Sequence, residues 1–270
     1  MTVPALFKGL FDDAAVFPPG DLPTAEAVPA HRAHRAAWYA TAVGPFLIGA
    51  GRLGELRDLP DGPLPVGLVL PGGSAQLAPA LSAAEGLDVV TVELAATDVP
   101  GAVAALDRHL PHGMTAAVEL PRGAGLQASL DALAGTPYRA KYRTGGLTAE
   151  AFPDTAELAA FLSGCAERGV PYKCTAGLHH AVRHTDPVTG FEHHGFLNVL
   201  LASLAGDRKV AADVLEERSG TVLAGAVGEL ADHQVGYIRR FFTSFGTCSI
   251  AEPLADLADL GLLTPPLEDR

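Results

Sequence analysis

With 270 residues, 48% of them apolar and 19% charged, the chain is long enough for one large domain or two small ones and too apolar to be disordered. A formal net charge of −12, with no basic run to neutralise phosphates, excludes nucleic acid as the main partner and suits a small anionic ligand met by a few internal cations. No apolar run reaches membrane-spanning length, residues 1–20 lack a basic start followed by an apolar core, and Cys165, Cys174 and Cys248 form no metal-type pair, so a cytoplasmic protein with no membrane contact is expected.

Residues 10–17, LFDDAAVF, read as a strand stopped by Pro18-Pro19, and a helix over 22–39 follows with Thr24 as its N-cap. Further strands are expected at 45–48, 66–70, 89–94, 115–120, 138–144, 171–175 and 241–245. Helices are expected at 52–59, 74–85, 99–109, 126–133, 155–168 and 253–260. Eight strand-like runs, most followed by a helical pattern, predict an α/β protein: a (β/α)8 TIM barrel forming a single domain over 1–270. An open doubly wound sheet is the rival, but no Gly-x-Gly-x-x-Gly follows the first strand.

The gap at 178–240 is too long for a simple βα loop. It reads as a helical, His-rich insertion between the seventh and eighth strands, with helices at 196–204, 209–217 and 227–237. It opens with five of the ten histidines, His179, His180, His184, His193 and His194. Barrels keep their active sites at the carboxyl ends of the strands, so this insertion is expected over the barrel mouth.

Side chains alternate faces along a strand, so Lys141 and Arg143 point one way and Ala140 and Tyr142 the other. Burying two such cations is costly unless something anionic sits beside them. Lys173 repeats the pattern in Pro171-Tyr172-Lys173-Cys174-Thr175. Strand positions add Asp12, Asp13, Glu93, Glu119, Thr175 and Thr243 or Ser244 as candidates. An amine among cations and apolar walls loses basicity, and a neutral lysine attacks a carbonyl to form a Schiff base. On this reading Lys141 attacks and Lys173 tunes it. Glu93 or Glu119 moves protons, and Asp12 completes the catalytic set.

Three segments carry a family resemblance. Lys141-Tyr142-Arg143-Thr144-Gly145 is similar to the Lys-x-x-Thr-Gly strand end of deoxyribose-phosphate aldolase and its class I aldolase relatives. Lys173-Cys174-Thr175-Ala176-Gly177 resembles that family's Lys-Ala-Ser-Gly-Gly stretch, and Phe245-Gly246-Thr247-Cys248-Ser249 its Phe-Gly-Ala-Ser-Ser strand end. The resemblance implies Lys141 as the imine former, Lys173 as its basicity tuner, and Gly145, Gly177 and Ser249 as phosphate contacts. The family's catalytic aspartate lies in an Asp-Val-Val strand, which matches Asp88, whereas the strand reading puts Glu93 nearer the site. Arg143 replaces a small residue, Ala176 a glycine and Cys248 a serine, and the long insertion has no counterpart.

The function expected is therefore that of an aldolase or lyase working through a lysine Schiff base, without a cofactor, on a small anionic carbonyl compound, phosphorylated or not. Its substrate-binding set is Arg143, Thr144, Gly145, Gly146, Thr175, Gly177, His179, His180, Gly246 and Ser249; a homo-oligomer is left open. Two alternatives stand beside it. If 178–185 is helical, His180 and His184 share a face and, with His193 or His194, could hold zinc in a metal-dependent lyase, isomerase or hydrolase. The other alternative is a barrel that only binds a phosphorylated metabolite.

Overall fold

The computed structural model describes residues 2–59 and 62–266, so the expected domain over 1–270 lies partly outside the described residues. The chain runs β1 (Phe11–Asp13), α1 (Thr24–Ala36), β2 (Val43–Gly49), α2 (Leu53–Arg57), β3 (Val66–Leu70), α3 (Leu77–Ala83), β4 (Val89–Ala95), α4 (Val99–His109), β5 (Thr115–Glu119), α5 (Leu126–Leu133), β6 (Arg139–Arg143), α6 (Thr155–Arg168) and β7 (Tyr172–Thr175). A small hairpin, β8 (His184–Thr185) and β9 (Glu192–His193), comes next. Four helices follow it: α7 (Phe196–Ala202), α8 (Arg208–Glu216), α9 (Gly220–Gly228) and α10 (Asp232–Phe241). The chain then returns through β10 (Phe242–Thr247) to α11 (Ala251–Asp259). Eight parallel strands close into one barrel in the order β1-β10-β7-β6-β5-β4-β3-β2, the (β/α)8 fold expected from the alternation of runs. Among the described residues no helix is long and apolar enough to cross a membrane.

β1 is much shorter than the apolar run suggested. Asp13 Oδ1 accepts the backbone N–H of Ala15 at 3.1 Å, which turns the chain out of the sheet. Thr24 is not the N-cap of α1; Pro23 holds that position. The Thr24 hydroxyl instead bonds Glu55 and accepts from Arg52 at 2.7 Å.

Strand alternation sorts charge from hydrocarbon. On β6, Lys141 faces the barrel interior while Tyr142 faces α6, where its ring stacks on Phe161 at 4.2 Å. On β7, Lys173 faces in and Tyr172 meets the same Phe161 edge-on at 5.2 Å. Fully burying a side chain of this kind contributes roughly 1.5–3 kcal/mol, so this aromatic layer fixes which face of each strand is turned inward. Helix α6 is itself well started: Asp154 accepts from Glu157 N at 2.7 Å, and the Glu157 side chain accepts from Asp154 N at 3.1 Å.

The barrel interior is unusually polar. At its amino end Arg139 donates to Thr115 at 2.7 Å, to Thr91 at 3.2 Å and to Thr243 at 3.4 Å. Two residues further along β6 comes Lys141, and two further Arg143, so one strand sends three cations down the barrel axis.

The 178–240 stretch divides in two. Phe196 of α7 packs against Phe11 and Phe245, and α8 packs on α6, so these helices join the outer ring. Within this stretch, only residues between His179 and His193 line the cavity at the mouth. The expectation that the whole insertion overhangs the mouth is corrected accordingly: its helices carry apolar faces that the outer face of the barrel buries.

Candidate active site

The two interior lysines bracket one carboxylate. Lys141 Nζ lies 2.8 Å from Glu93 Oε2, and Lys173 Nζ is bonded to Glu93 Oε1. Lys141 also reaches Glu119 Oε2 at 3.0 Å, and Lys173 reaches Asp12 Oδ2 at 2.5 Å. Ser244 donates to that same Asp12 oxygen at 2.6 Å, and Arg143 Nε pairs with Glu119 Oε1 at 2.9 Å. The side chains of Lys141, Lys173 and Glu93 are only 4%, 2% and 1% exposed. Three cations thus meet three carboxylates. The sequence reading placed these amines among cations and apolar walls; here each ammonium faces at least two carboxylates.

The electrostatics follow from that pairing. Burial pushes the Glu93 carboxyl up, but Lys141 and Lys173 outweigh it and hold the group down at about 2. Burial likewise opposes ionisation of Glu119, and Lys141 with Arg143 still pull it below its ordinary value. Burial works against the Lys173 ammonium, and Asp12 with Glu93 reverse this, so Lys173 titrates above its ordinary range.

Above the cluster opens a cavity of about 880 Å³. Glu93, Glu119, Lys141 and Arg143 belong to its wall, whereas Lys173 and Asp12 do not. Phe17, Leu47, Leu147, Phe152 and Phe191 give it an apolar side, and His179, His180, His184 and His193 a polar one. The chain has four lysines, and the other two, Lys8 and Lys209, are exposed. Lys141 is therefore the one lysine that is both buried among carboxylates and open to the cavity. Asp88, matched by the family motif, is exposed at the amino end of β4. Glu93, nearer the carboxyl end of that strand, occupies the site.

The expected substrate-binding residues separate. Arg143, Gly146, Thr175, Gly177, His179, His180 and Gly246 line the cavity; Thr144, Gly145 and Ser249 do not. Thr144 is fully buried, its hydroxyl bonded to Ala176 O and lying 3.3 Å from Thr175 O. Ser249 Oγ accepts from Glu252 N at 3.3 Å at the start of α11. Gly145 lets two loops touch: a Cβ there would lie 2.8 Å from Gly177 Cα. Gly177 has φ +77°, and a Cβ on it would lie 2.7 Å from Thr144 O. Gly145→Ala is expected to destabilise the protein by about 1–3 kcal/mol through this overpacking, read from the urea midpoint. An unchanged midpoint would show that the loops part freely.

The histidines do not form the expected helical pair. Residues 178–183 are irregular, because Ala181 N donates to Asp256 Oδ2 at 2.7 Å and Arg183 N to Asn198 Oδ1 at 3.0 Å instead of to helical carbonyls. The rings of His180 and His184 still approach to 4.9 Å, and the hairpin brings His184 to 5.1 Å from His193. His194 turns away: its Nε2–H donates to Pro153 O at 2.8 Å, and burial holds it at about 4. Among the described residues no three His, Cys, Asp or Glu side chains are grouped to hold a metal ion. The helix on which the zinc alternative rested is absent.

One strand candidate leaves the site, and one group outside the candidates enters it. Asp13 faces outward from β1 and pairs with buried His31 of α1 at 2.9 Å. Glu252, early in α11, accepts from His179 Nδ1 at 3.0 Å across the mouth. An acid in the first turn of a helix is common enough to carry no signal of a site. No protein-family model matches the chain, and no curated protein matches its sequence. The (β/α)8 fold is compatible with an aldolase or lyase and hosts many other activities.

Proposed function

We propose that this barrel is an aldolase- or lyase-type enzyme that binds a small anionic carbonyl compound and activates it as a Schiff base on Lys141. The observation that carries this reading is the position of the Lys141 amine, buried between Glu93 and Glu119 and open to the cavity. Glu119 is the carboxylate better placed to take the Lys141 proton, since its side chain is 18% exposed at the wall and that of Glu93 only 1%. The free amine then adds to the carbonyl carbon, Glu119 returns the proton to the hydroxyl so formed, and that oxygen departs as water to leave an iminium. That iminium carries the same single positive charge as the ammonium it replaces, so the balance with the three carboxylates is restored.

The iminium withdraws electrons from the neighbouring carbon and permits carbon–carbon cleavage or formation there. Lys173 tunes Lys141 through the shared Glu93: by holding one oxygen of that carboxylate it weakens the grip of Glu93 on the Lys141 ammonium. Arg143, 45% exposed at the rim, offers a cation to the anionic group of the substrate. The likeness of the segments around Lys141, Lys173 and Gly246 to class I aldolases supports the same assignment.

Borohydride reduction in the presence of acetaldehyde, pyruvate or dihydroxyacetone phosphate tests it. A saturable adduct of one equivalent in the intact mass is expected with at least one of them, and no adduct with any would sink the proposal. The complete pairing of the interior charges favours a second reading, a barrel that binds a metabolite without turning it over. Ligand-dependent thermal stabilisation with no adduct would mark that case.

A further inference from the structure

We propose that His179, held in one tautomer by Glu252 and Thr247, is the general base and acid that removes and returns the proton on the carbon next to the Lys141 imine; this rests on the Schiff-base reading above. The Thr247 hydroxyl donates to Ser249 O at 3.0 Å, so toward His179 Nδ1, at 3.4 Å, it can only accept. Glu252 Oε2, 3.0 Å from the same nitrogen, is also an acceptor. Two acceptors on one side place the ring proton on Nδ1 and leave Nε2 with a free lone pair. The Cys248 sulfur lies beside the ring, 3.6 Å from Nδ1 and 3.9 Å from Nε2.

This arrangement has the parts of a positioned base: a ring nitrogen that neither acceptor engages, a partner fixing the tautomer, and a place on the cavity wall. His179 follows β7, the neighbour of β6, and lines the same cavity as Lys141. Of the other groups on the wall, His180 is paired with Asp256. Glu93 and Glu119 each bind two cations, and burial pushes the Cys248 thiol up to about 11, so it stays protonated.

In the step assigned to it, the C–H bond next to the iminium carbon breaks and its electron pair becomes a C=C bond. The C=N π pair moves onto the Lys141 nitrogen, leaving a neutral enamine. The proton goes to Nε2, and Glu252 faces the resulting imidazolium. Return of that proton to carbon reverses the step.

The test uses the full-length protein in D2O with acetaldehyde, pyruvate or dihydroxyacetone phosphate, following deuterium entry next to the carbonyl by NMR alongside borohydride trapping. His179→Gln is expected to form the Lys141 adduct still and to lose α-deuteration by about 100-fold or more. Glu252→Gln, which keeps the shape but loosens the tautomer, is expected to lose roughly tenfold with the adduct retained. An adduct with deuteration within threefold of the parent in both variants would overturn the role of His179 while leaving the Schiff base intact. Loss of the adduct in His179→Gln would assign this residue to imine formation and equally overturn the proton-transfer role. No adduct in the parent protein removes both readings at once.

Discussion

Lys141→Arg is expected to abolish the borohydride-trapped adduct and to lower any turnover by at least about 10³-fold while leaving the barrel folded. Arginine keeps the positive charge that Glu93 and Glu119 face, so the cluster stays neutral overall. Its guanidinium does not deprotonate in proteins and so supplies no nucleophile. Lys173→Arg, by contrast, is expected to retain the adduct at a reduced rate, because Lys173 does not reach the cavity wall. Intact mass after reduction, with circular dichroism as the check on folding, separates the two. An adduct that survives Lys141→Arg would move the chemistry to another residue.

Glu93→Gln is expected to cost about 3–5 kcal/mol of stability, since it removes one partner from a buried ionic group. Lys141, Lys173 and Arg143 would then face Asp12 and Glu119 alone, and one positive charge would be left over. Adding Lys173→Met to Glu93→Gln removes the excess charge as well as its desolvation cost. The double variant is therefore expected to be more stable than the sum of the single effects by about 1–3 kcal/mol.

Acid unfolding gives an independent reading of the same group. The folded value of Glu93, about 2, lies below its ordinary 4.5. Its contribution is therefore fully present above pH 4.5 and is lost as pH falls from there toward 2. Urea midpoints measured through that window should fall more steeply for the parent protein than for Glu93→Gln. Parallel curves would mean that Glu93 is not the ion the cluster is built around.

The barrel was legible in the sequence because its signal is local. Val66–Leu70 and Thr115–Glu119 are short β-rich runs bounded by turns, and the strands needed no partner to be recognised. Lys141 and Lys173 were legible for a related reason: charge set inside an apolar strand contradicts the burial the strand implies. Asp12, Glu93 and Glu119 were legible too, as acids on strands of the same barrel, but which amine each one pairs with was not: Asp12, Glu93 and Lys173 lie far apart in sequence, and only barrel closure sets them around one point.

The histidines show the opposite error. The spacing of His180 and His184 suggested a helix, but tertiary bonds from Asp256 and Asn198 hold that stretch irregular. The pairing of His179 with Glu252 joins residues from a loop after β7 and a helix after β10, a contact that no periodicity encodes.

Peptide mass mapping after borohydride trapping examines the central claim most directly, since only four lysines compete for the label. Modification confined to the peptide holding Lys141, with buried Lys173 and exposed Lys8 and Lys209 bare, is the predicted result. Label spread over Lys8 and Lys209 with Lys141 untouched would contradict it.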